Sequence, residues 1–127
     1  MKRIDIYFLL LATALLLVGA GLGIKMGATE DFQLAPVHAH LNLAGWASLA
    51  LFGLAYRAYP QLARTRLAAV HFGVSGLAAV LLPIGIGFAI LRGQPALAIA
   101  ASFLFVGGVA LFLVQLTGLL RADPRDG

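Results

Sequence analysis

The chain contains no cysteine. Disulfides and thiolate metal sites are excluded at once, so any metal chemistry must rest on nitrogen, oxygen or thioether donors. Charge is scarce as well. Nine Lys and Arg and five Asp and Glu make up 11% of 127 residues, against 61% hydrophobic residues and a mean hydropathy of +0.97. A water-soluble domain usually carries roughly 25% charged residues. Too few are present here to cover a core of this apolarity. The sequence also lacks a nucleophile–base arrangement, a phosphate-binding glycine loop, and any basic stretch interleaved with aromatics. The last absence argues against a nucleic-acid partner.

What is present is apolar and long. Four runs, about residues 6–24, 37–59, 67–91 and 95–120, approach or exceed the ~20 residues that a bilayer span requires. The expectation is an all-α integral membrane protein, a single four-helix transmembrane domain with lipid as its surroundings. Met1-Lys2-Arg3 gives the first run a signal-like basic start. Its apolar stretch is longer than a signal core and no small-residue cleavage site follows, so it is read as a retained helix. The joins are short: about 25–36, then 60–66 opening on helix-stopping Pro60, then the turn Arg92-Gly93-Gln94-Pro95. Such joins make each helix antiparallel to its neighbour, which predicts an up-down bundle. Lys2, Arg3, Arg57, Arg64, Arg66, Arg121 and Arg125 would share one side and only Lys25 and Arg92 the other. That bias predicts both termini in the cytoplasm and accounts for the net charge of +4. Glu30 and Asp31 read as solvated loop charges. Tyr7, Tyr56 and Tyr59 read as interfacial anchors, Pro83 as a tolerated kink, and the Gly19–Gly23 and Gly107-Gly108 clusters as helix contacts.

One polar stretch stands at the mouth of the second run, residues 35–46, APVHAHLNLAGW. Ionisable groups inside membrane segments more often mark function than not. Residues i and i+2 of a regular helix point about 200° apart, so His38 and His40 should serve different sides. Beneath His40 lie Ala44, Ala47, Leu51 and Ala58, a smooth wall suited to a flat macrocycle. Beneath His38 lie Asn42, Gly45, Leu49 and Tyr56. His40 should lie about 6 Å inside the outer surface and His71 about 7 Å inside the opposite one, at ~1.5 Å per residue. With a ~30 Å hydrocarbon core, the two are about 17 Å apart in depth, too far to share one metal ion.

The stretch HAHLNLAGWASLALFGLAYRAYP resembles the tenth helix of the catalytic subunit I of heme-copper oxidases, nearest the C-type (cbb-type) branch. The matching features are the H-x-H pair His38 and His40, Gly45-Trp46, Phe52-Gly53 and Tyr59-Pro60. Ala69-Val70-His71-Phe72 resembles the opening of the family's next helix, so the likeness covers roughly residues 36–93. It implies that His38 matches a high-spin heme ligand and His40 a low-spin heme ligand, that His71 is no axial ligand, and that the protein resides in a bacterial inner membrane. The helices that carry the opposite heme ligand, the copper histidines and the cross-linked tyrosine have no counterpart here, so oxygen reduction by this chain is not implied.

The expected function is therefore a small heme b-binding membrane protein for electron transfer or small-ligand sensing. Candidate binding residues are His38, His40, Asn42 and Trp46, with the iron on His38 or His40. A second axial ligand would come from a second copy in a homo-oligomer, from Met26, or be absent. The alternative is an accessory or assembly subunit of a respiratory oxidase complex that binds no cofactor. Copper handling is a third reading; the lack of Cys and the presence of just two Met weigh against a soft copper(I) site.

Overall fold

The computed structural model describes residues 3–121, and among them every element is helical. Helix α1 runs Ile4–Thr29, α4 runs Arg66–Arg92 and α5 runs Ala96–Leu119. Each is long and apolar enough to cross a membrane. At about 1.5 Å per residue, even the 24 residues of α5 span roughly 36 Å. These helices are apolar on most sides. Leu17, Ile24, Phe103 and Leu113 are among the large side chains left exposed, a surface suited to lipid.

The fourth expected span is not a single α-helix, which corrects the expectation of four equivalent spans. Residues 35–58 divide into α2 (Ala35–His40), a π-helical segment (Leu41–Ala47) and α3 (Ser48–Ala58). The wider winding is visible at its exit. The Ser48 N–H reaches back five residues to the Leu43 carbonyl, and the Ser48 hydroxyl donates to the same oxygen at 2.9 Å. His40, Ala47 and Ser48 at the junctions all keep right-handed helical backbone angles, so the path continues without a break. Gly45, inside the π segment, packs closely against α1: a methyl group there would meet Leu15 Cβ at 3.1 Å. π insertions of this kind recur at functional sites.

Contacts between helices run in opposite registers along each pair. Gly53, Gly45, Asn42 and His38 meet Asp5, Leu15, Gly19 and Gly23 of α1 in turn. Ser75 of α4 meets Gly108 of α5, and Gly85 meets Leu97 and Ala98. Neighbouring long helices are thus antiparallel. Of the glycine clusters, Gly19, Gly23 and Gly108 do mediate close approach, whereas Gly21 and Gly107 face open space.

The turns differ from expectation mainly at their edges. α1 continues to Thr29 and ends at Glu30, held at φ 54°, so the first loop starts later than expected. A short 3-10 turn, Pro60–Arg64, joins α3 to α4. Gly93, at φ 63°, closes α4 by donating to the Ala89 carbonyl, an arrangement that a residue with a side chain would disfavour.

The core has two parts. The larger gathers Ile4, Phe8, Leu49, Phe52, Tyr56 and their neighbours. The smaller joins Ala44, Leu82 and Ala101 beneath the site of interest.

Candidate functional site

His38 points into the bundle. Its Nδ1–H donates to the Gly19 carbonyl of α1 at 2.7 Å, because a carbonyl can only accept. That tautomer leaves Nε2 as an acceptor, and the Asn42 side-chain amide, one turn on, donates to it at 3.2 Å. The ring packs against Gly23, where a methyl group would come within 2.8 Å of Cε1. Both nitrogens are engaged and α1 fills the space in front of them. As packed, this side has no room for a macrocycle. Asn42 therefore serves His38, and its Oδ1 is buried without a hydrogen-bond partner against Gly19.

His40 faces the other way. Its Nδ1–H donates to the Pro36 carbonyl at 2.8 Å, which fixes the ring and leaves the Nε2 lone pair free. Histidines that bind metals characteristically spend their second nitrogen on such a carbonyl. The ring borders an open apolar groove of about 500 Å³ lined by Ala44, Ala47, Leu51 and Leu82, with Ser102 and Phe105 contributed by α5. Ala44, Ala47 and Leu51 are the wall expected beneath His40; Ala58 is not part of it. Ser48 joins the lining, one residue beyond the π segment.

The remaining candidates are dispersed. Met26 is buried near the C-terminal end of α1, beside Leu22, Leu34 and Leu91, and does not border the His40 groove. Trp46 is half-buried against the larger core cluster and also lies outside the groove. Among the described residues no three His, Asp or Glu side chains gather where they could hold a metal ion.

His71 lies at the opposite end of the bundle. It is fully buried and packs with Phe8, Phe52 and Phe112, whose ring centroids lie 4.7 to 5.4 Å away. On α1 its level is Phe8, against Gly19 and Gly23 for His38. Eleven or more residues of helix separate these levels, about 17 Å or more. His71 Nδ1–H donates to the Tyr56 hydroxyl at 3.0 Å, and that hydroxyl donates to Gln115 Oε1 at 3.0 Å. Tyr56, expected at the interface, is instead buried to 2% exposure. The reason is this relay, which ties α3, α4 and α5 together. His71 Nε2, Gln115 Nε2 and Ser75 Oγ remain buried without partners. Gln115 carried a signal that sequence reading passed over, being the one amide in α5, whose other polar side chains are the hydroxyls of Ser102 and Thr117.

No family model, curated protein or solved structure matches the chain.

Proposed function

We propose that this is a small heme b-binding protein of a bacterial inner membrane, related to subunit I of heme-copper oxidases, with His40 rather than His38 as the residue that holds iron. In this reading residues 35–58 form the second of four crossings and both termini face the cytoplasm. One observation carries the proposal: the Pro36 carbonyl holds the His40 tautomer with Nε2 free at the edge of an apolar groove floored by small side chains. The volume of that groove falls within the ~300–1,000 Å³ usual for ligand sites.

The residues fit the group on this side of the helix. Ala44 and Ala47 would let a flat ring lie close to the backbone, Leu51, Leu82 and Phe105 would exclude water from it, and His40 Nε2 would hold the iron. When bound, the heme would supply one-electron redox chemistry or an open site for a small gas, depending on its sixth ligand. Met26 is not placed to be that ligand, and the groove opens outward. A second copy related by a two-fold axis would bring its own His40 at the same depth.

The test is a hemin titration of purified protein in mild detergent, followed by quenching of the single tryptophan, Trp46, and growth of a Soret band. Saturable binding that is lost in His40→Ala and kept in His38→Gln is the expected result. Binding lost only in the His38 variant would reverse the assignment. No saturable binding to the wild type would leave the accessory-subunit reading in its place.

A further inference from the structure

At the end of the bundle where α1 begins, three arginines from separate segments converge on one concavity. Arg3 precedes α1, Arg57 lies in the last turn of α3, and Arg64 ends the 3-10 turn. Together with Asp5 and Tyr56 they line a cleft of about 490 Å³. Charge bias alone would be satisfied by arginines scattered around the rim, as Arg66 and Arg121 are, since neither borders the cleft.

Asp5 is the one carboxylate on this surface among the described residues. Its side chain is 11% exposed and lies 3.7 Å from both Arg3 and Arg57. At that distance it steadies the two guanidinium groups without saturating their donors. Arg64 has no carboxylate within pairing distance among the described residues, and the described side chains lining the cleft carry three positive charges against one negative. The first turn of α1 adds to this positive balance. Ile4 and Asp5 border the cleft, and their N–H groups precede the first residues able to bond back along the helix.

We infer that this cleft binds a phosphate group, held between the guanidinium forks of Arg57 and Arg64 and the start of α1. Arginine suits the task because its planar fork matches two phosphate oxygens at once. The group is carried either by an anionic lipid headgroup or by a small soluble phosphate compound. The inference is independent of heme binding.

The test uses the full chain in dodecyl maltoside, at constant ionic strength. Its melting temperature is recorded against phosphatidylglycerol, phosphatidylcholine and inorganic phosphate. Saturable stabilisation by phosphatidylglycerol alone assigns the site to a lipid headgroup, and stabilisation by inorganic phosphate assigns it to a soluble compound. Arg57→Gln/Arg64→Gln should weaken the apparent affinity at least tenfold. Arg57→Lys/Arg64→Lys, which keeps the charge and loses the fork, should fall between. Arg66→Gln/Arg121→Gln removes the same charge at the same end and should change affinity less than twofold. Equal losses in the two glutamine pairs, or no stabilisation of the wild type by any of the three, would overturn the inference.

Discussion

Removing one oxygen, with Tyr56→Phe, tests how the far end of the bundle is held together. The ring would keep its stacking on Phe8, whose centroid is 5.6 Å away, so apolar packing is largely conserved. What is lost is the hydroxyl that accepts from His71 and donates to Gln115, each at 3.0 Å. Because His71 Nε2 and Gln115 Nε2 already lack partners, both side chains would then be buried with no hydrogen bond from those groups. Orphaning a buried polar group costs about 1–3 kcal/mol in water-soluble proteins. Hydrogen bonds within membrane proteins average nearer ~0.6 kcal/mol, with a maximum of ~1.7. Two such bonds place the expected loss at about 1–3 kcal/mol. The assay is equilibrium unfolding in mixed dodecyl maltoside and SDS micelles, read by Trp46 fluorescence. Gln115→Leu should couple to Tyr56→Phe by ~1 kcal/mol in a double-mutant cycle. A Tyr56→Phe variant within ~0.3 kcal/mol of wild type, or strictly additive variants, would refute the relay.

Other expectations follow from the His38 end of the bundle and the helix contacts. Gly23→Ala should destabilise by about 1–3 kcal/mol, because its methyl group would press on the His38 ring at 2.8 Å, whereas Gly21→Ala, facing open space, should be neutral or slightly stabilising in the same assay. Gly53→Ala should cost at least as much as Gly23→Ala, since the obstacle is the Asp5 backbone carbonyl at 2.9 Å, which no rotamer change relieves. His38→Ala should lower stability by about 1–3 kcal/mol by orphaning the Asn42 amide, yet leave hemin binding intact. Chemical labelling of single cysteines introduced at Lys2 and Arg125 should occur only from the cytoplasmic side; labelling from outside would overturn the orientation.

Much of the architecture was legible because apolar run length is a local property. Four runs announced helices, and three of them are continuous α-helices long enough to cross a membrane. The i, i+2 spacing of His38 and His40 likewise put them on different sides, one against α1 and one in the groove beside α5. The π segment was not legible. It depends on α1 packing at Gly45 and on Ser48 bonding back to Leu43, and neither contact has a sequence period. The Tyr56–His71–Gln115 relay escaped for a related reason. Its members are 15 and 44 residues apart, and only the folded bundle makes them neighbours. Tyr56 near a helix end looks the same in sequence whether it anchors at the interface or points inward. Asn42 was singled out for its place beside the histidines, but its partner choice, His38, decides which histidine stays free.

The most direct test of the central claim is the reduced-minus-oxidised visible spectrum of protein purified after expression with heme supplied. The account predicts b-type bands in the wild type and in His38→Gln, and their loss in a folded His40→Ala variant. A colourless wild type, or full bands in folded His40→Ala, would contradict it.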